Sequence, residues 1–120
     1  MSEIIVIFRR DSTGECFALF PELPSDQFGN LCTAYQHIGQ HCAADYHLCI
    51  TQSDPANPAE YRDLYEELER RGYILAVRQR ATPEMHERRR RVAAEWRATV
   101  LEDQPRRHGG GRVLCERSRA

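Results

Sequence analysis

Lysine is absent from this 120-residue chain, so all 17 of its basic residues are arginine. Any basic surface the fold builds is therefore guanidinium: weakly hydrated, able to stack, and able to grip a carboxylate or phosphate with two parallel N–H groups. Long apolar runs are missing too. Nothing approaches the roughly 20 residues that a membrane span requires. The opening MSEIIVIFRR sets an acid ahead of a short apolar run, which is not a secretory leader pattern. The expectation is a cytoplasmic protein with no membrane partner. The five cysteines form no C-x-x-C knuckle and no even framework, so all five are expected to be reduced packing residues. No G-x-S-x-G elbow, Walker loop or paired-carboxylate pattern occurs either, which removes the readily recognised hydrolase and nucleotide-binding signatures.

What is present is a division of charge. The net charge is only −1, yet up to Val77 there are 5 arginines against 12 acids, a balance of −7. From Arg78 onward there are 12 arginines against 6 acids, a balance of +6. Opposite potentials at the two ends point toward recognition of charged partners.

At this length one domain with a modest core is expected. Ile4 to Phe8 is β-rich, the turn Asp11-Ser12-Thr13-Gly14 follows, and Glu15 to Phe20 resumes the alternation, which predicts a hairpin. Pro21 and Pro24 are expected to end its second strand. A third strand is expected from Leu31 to about Ile38, broken at Gly39, then a compact turn to Ala44. A fourth is expected over Tyr46 to Gln52, with Tyr46, Leu48 and Ile50 sharing one face.

The clearest local pattern is a helix from Pro58 to Arg71. Asn57 caps it, Pro58 takes its first position, Glu60 completes a capping box, and Tyr61, Leu64, Tyr65 and Leu68 form its apolar stripe. Gly72 stops it and Tyr73 to Arg80 reads as a strand. Thr82-Pro83 opens a second helix, expected to reach about Leu101, with Met85, Val92, Trp96 and Val100 as its stripe. Arg89 interrupts that stripe, so the helix is expected to dock imperfectly or to await a partner. The architecture is thus α+β, in the order β-β-β-β-α-β-α, with a mostly antiparallel sheet burying one face under the Pro58 helix. Residues 1–101 form the domain, and 102–120 a flexible basic tail.

Four constellations are candidates for function. Leu31 to Thr51 holds three of the five cysteines and three of the five histidines. Within it His41, Cys42, His47 and Cys49 are a candidate metal set, weighed against buried thiols and a strand histidine in a small core. Cys42 as a thiolate with His41 or His47 as its base is the nucleophile version, disfavoured by the acidic surroundings. Arg78, Arg80, Arg88, Arg89, Arg90 and Arg91 form a basic face suited to phosphate or to an acidic protein surface, although Glu84, Glu87 and Glu95 interleave. Asp63, Glu66, Glu67 and Glu69 form an acidic helix face, either plain solvated surface or a phosphate-like array facing a basic partner.

The segments FALFPELP, YQHIGQHCAADYH, PAEYRDLYEELERRGY and RATPEMHERRR, spread over about Ile4 to Arg91, resemble a family of small bacterial proteins associated with plasmids, phages and integrative elements. The resemblance brings no activity with it. In that family the position of Cys42 carries a small residue such as glycine, which argues against a shared thiol or metal role. A weaker resemblance is to HicB-type antitoxins, where a hairpin also leads into a proline-bounded acidic turn like Phe20-Pro21-Glu22-Leu23-Pro24; the helix rich in Glu and Ala that follows there is missing here. The expectation is a non-enzymatic accessory protein of a mobile element, without cofactor. It would act by stoichiometric contact with a host or element macromolecule, for example as an inhibitor of a defence nuclease complex. A protein partner is favoured, nucleic-acid binding through the Arg78 to Arg91 face is the first alternative, and a zinc- or cysteine-dependent protein the second.

Overall fold

The computed structural model describes residues 3–36 and 40–103, and the side chains within these except those of Gln40 and 100–103. The fold is α+β. Strands β1 (Ile4–Arg10), β2 (Cys16–Pro24), β3 (Cys32–Gln36) and β4 (Gln40–Ala44) pair antiparallel in chain order. After β4 come the short helix α1 (Tyr46–Thr51), the two-residue edge strand β5 (Asp54–Pro55), helix α2 (Pro58–Arg70), strand β6 (Leu75–Val77) and helix α3 (Pro83–Asp103). Both β5 and β6 pair with the free side of β1, β6 running parallel to it. The sheet order is therefore β4-β3-β2-β1, with β5 and β6 sharing its last edge.

Alternation along β1 and β2 gives the sheet two apolar faces, each with its own core. Val6, Phe8, Ala18, Phe20 and Tyr35 point one way and meet Leu64 and Leu68 of α2. There the Phe8 and Tyr61 rings stack with centroids 4.1 Å apart. Ile7, Leu19, Cys32, Ala34, Cys42 and Ala44 point the other way and meet Tyr46 of α1. The start of α3 covers this second face as well, since His86 lies against Tyr46 and Ala81 packs on the same cluster. One helix over one face thus becomes helices over both, as expected of a sheet with apolar residues on alternate and intervening positions alike.

Three local expectations are corrected. Tyr46–Thr51 is a helix, not a fourth strand: Asp45 caps it by accepting from the Leu48 N–H at 3.0 Å. Tyr46, Cys49 and Ile50 then face the core at i, i+3 and i+4, while Leu48 is exposed. The fourth strand is instead Gln40–Ala44, where a compact turn was expected; Ala34 pairs with Cys42 and Cys32 with Ala44. Of the two prolines expected to end β2, Pro24 does so but Pro21 does not. The strand runs on to Pro24 through an irregular register between Phe20 and Pro24, which accommodates the missing N–H groups. The expected strand end and break at 37–39, and the flexible tail beyond 103, lie outside the described residues.

Helix α2 forms as its sequence predicts. The Asn57 side chain accepts from the Glu60 N–H, and Glu60 accepts from the Asn57 N–H, each at 2.9 Å. Arg10 on β1 ties this first turn to the sheet, donating to both Glu60 oxygens at 2.8 and 3.0 Å.

Candidate functional site

The four-arginine run Arg88–Arg91 is divided by helical geometry, since successive residues turn by about 100°. Arg89 faces the body and is only 4% exposed. It donates from Nε to the Gly29 carbonyl and from Nη1 to the Pro21 carbonyl, each at 2.8 Å, and Nη1 also lies 2.8 Å from His86 Nδ1. A guanidinium can only donate, so Nδ1 of His86 must be the bare acceptor nitrogen. The break in the apolar stripe is therefore a fastening: it pins α3 to the irregular end of β2 and to the loop 25–31. The expected imperfect docking does not hold at this position.

Of the remaining arginines, Arg88 is exposed and approaches Glu22 at 3.6 Å. Arg90 and Arg91 are exposed, and no ion pair neutralises them among the described residues. Arg78 and Arg80 are exposed before α3, Arg78 bonding to the carbonyl of its neighbour Val77. Arg9, which drew no attention in the sequence, is 7% exposed; it donates to Ser53 Oγ, to the Ile50 carbonyl and to the Ser53 carbonyl, closing the C-terminal end of α1.

Two aromatic rings accompany the basic helix. Trp96 follows Met85, Arg89 and Ala93 along the docked side of α3, yet it is 52% exposed. Phe28, at the tip of the loop 25–31, is 54% exposed, and the Arg97 guanidinium lies 5.0 Å from its ring centroid. Arg97 also donates to the Gln27 carbonyl at 2.6 Å. The loop is held tightly to the helix at Gly29, whose φ is +77° and where an added Cβ would stand 2.8 Å from Arg90 Cα. Nothing in the sequence analysis singled out Phe28; an aromatic among Ser, Asp, Gln and Asn was the available signal.

The metal candidates separate. His41 on β4 is exposed on the α2 side, its Nε2 3.1 Å from the Tyr73 hydroxyl and its ring edge-on to Tyr35. Cys42, the next strand residue, points to the opposite face, is buried, and is engaged in a disulfide, so the expectation of five reduced thiols fails there. Cys16, Cys32 and Cys49 are free. His47 lies on the outside of α1 with its ring 5.4 Å from that of His86, while Cys49 lies inward. Residues expected on alternate strand positions, sharing a face, are split by the helix to opposite sides. Among the described residues no group of three or more His, Cys, Asp or Glu could hold a metal ion.

Nor does a thiolate and its base come together. Burial pushes the Cys32 thiol up to about 12 and raises that of Cys49, to which Asp45 adds. Cys16 lines a cleft of about 280 Å³ with Thr13, Glu15, Glu60 and Asp63. Its thiol too is raised, by burial and then by the Glu60 carboxylate.

The acidic candidates lie on α2, on the other side of the sheet. Asp63, Glu66 and Glu69 are exposed, whereas Glu67 turns inward and accepts from the Tyr35 hydroxyl. Arg71 stands 5.6 Å over the Tyr35 ring and, after burial, is the second cause holding His41 below its ordinary pKa.

No protein-family model, no curated protein and no solved structure matches the chain.

Proposed function

We propose that this is a cytoplasmic, non-enzymatic accessory protein of a mobile element, acting by stoichiometric contact between the outer surface of α3 and a host or element macromolecule. Occupying a defence nuclease complex would be one form of such contact. The observation that carries the reading is the fate of the arginine run: Arg89 is spent on docking the helix, which leaves Arg90 and Arg91 projecting from a fixed support, unpaired among the described residues. Charges held on a rigid helix recognise a partner at less entropic cost than charges on a loose segment.

The test compares capture from host lysate by the wild-type chain and by an Arg90→Gln/Arg91→Gln variant, with the bound fraction analysed for protein and for nucleic acid. A partner retained at near-equimolar amount by the first and lost by the second is expected. Equal retention by both would remove α3 as the contact surface.

A further inference from the structure

The partner class can be narrowed by what surrounds those arginines. We propose that the distal part of α3 and the loop 25–31 form a platform for single-stranded nucleic acid, with Trp96 and Phe28 stacking on bases and Arg90, Arg91 and Arg97 meeting the phosphates. This rests on the reading of α3 as the contact surface and names its ligand.

Three features carry it. Trp96 continues the side of α3 that buries Met85, Arg89 and Ala93, yet its indole is half exposed and open to a ligand. Phe28 is fixed beside the helix rather than loose, because Gly29 abuts the Arg90 backbone and Arg97 both spans to Gln27 and lies over the ring. An exposed ring with a guanidinium on one face leaves the other for a base, and such stacks tolerate any base because each has a π-face. The charge also fits: Arg88 to Arg97 contains five arginines against the single acid Glu95, and of the acids on the body Glu22 faces Arg88 and Asp26 faces Arg89, which leaves Arg90 and Arg91 without an ion pair among the described residues. Arg89 bonds to neutral acceptors, two carbonyls and an imidazole nitrogen, while the Asp26 and Asp45 carboxylates offset part of its charge, so the platform's positive potential rests on Arg90, Arg91 and Arg97. A second copy meeting it in a two-fold symmetric contact would bring the same positive potential against this surface. A duplex would hide the base faces that the rings require.

The sequence contains one tryptophan, so the emission of the intact protein reports on Trp96 directly. Titration with a single-stranded oligonucleotide of about 12 nucleotides, near the upper end of known site sizes, is expected to quench it. Affinity is expected to fall tenfold or more between about 50 and 200 mM salt. In direct binding of the labelled oligonucleotide, Trp96→Leu and Phe28→Leu are each expected to lose roughly tenfold or more, while Trp96→Phe retains most of the affinity. Arg90→Gln/Arg91→Gln is expected to lower the salt slope by about 1.4. A duplex of the same length and poly-glutamate are the comparison ligands. Unchanged emission with the single strand, or full affinity in both Leu variants, overturns the platform. If the oligonucleotide binds with silent emission and the Arg variant still weakens it, the platform fails while α3 stands as the contact surface. If poly-glutamate moves the emission and the oligonucleotide does not, the ligand is an acidic protein instead. If no ligand binds, both readings fall.

Discussion

A buried guanidinium has to find acceptors inside the protein, because an unmet charged donor costs several kcal/mol. Arg9 and Arg89 solve this with backbone carbonyls left over at the end of α1, at the irregular end of β2 and in the loop 25–31. Replacing Arg89 by Met keeps much of the bulk but strands the Gly29 and Pro21 carbonyls. We expect a loss of about 3 kcal/mol in unfolding free energy, read as a lower urea midpoint. Arg89→Lys should recover little, since an ammonium cannot span these acceptors as the planar fork does. A midpoint unchanged in Arg89→Met would mean that α3 docks by its apolar residues alone. Arg89 was visible in the sequence only as an interruption of a stripe; which of four consecutive arginines turns inward depends on the phase of the helix against the sheet, and the run itself carries no such information.

At the level of elements, α2 and α1 differ in legibility for a physical reason. The signals of α2 are local and agree with one another: Asn57 caps, Pro58 starts, Glu60 closes the box and the stripe has helical period. Asn57→Ala should therefore cost about 1 kcal/mol, measurable in the same urea titration; no change would indicate that packing alone sets this end. In α1 the six residues Tyr46–Thr51 satisfy strand alternation and helical spacing equally well. Asp45 was the deciding cap, and a single cap is easily passed over. The contact between α3 and its loop is likewise tertiary. Gly29→Ala places a methyl group against Arg90 Cα at positive φ, and we expect a loss of about 2 to 4 kcal/mol. Gly14→Ala, also at positive φ but with nothing within 4 Å of an added Cβ, should cost only the backbone strain of about 1 kcal/mol. Equal losses at the two positions would show that steric contact with α3 adds nothing.

Across the whole molecule the two sheet faces carry unlike helices, acidic α2 on one and arginine-rich α3 on the other, each with a histidine at its margin. His41 and His86 are held below the ordinary value of 6.5, by burial first and then by Arg71 for His41 and by Arg89, His47 and Arg90 for His86. As pH falls below about 6.5, the unfolded chain takes up protons that the folded chain refuses, so stability declines until the folded values are passed. Above that window these two groups contribute no slope. His86→Asn keeps an acceptor for Arg89 and His41→Gln a partner for Tyr73, so the double variant should show a flatter decline as pH falls below about 6.5. An identical decline would assign it to other groups.

The sequence alone determined the α+β class, the opening hairpin, the capped helix α2 and the opposition of charge between the two halves, because each is written in local spacing and composition. Only the tertiary structure decided that both sheet faces are covered, that α1 is helical, that His41, Cys42, His47 and Cys49 part company, and that Phe28 comes to stand beside the helix that carries Trp96. Those outcomes depend on which residues meet across the sheet, and that meeting is set by register and helix phase, which no short stretch of chain encodes by itself.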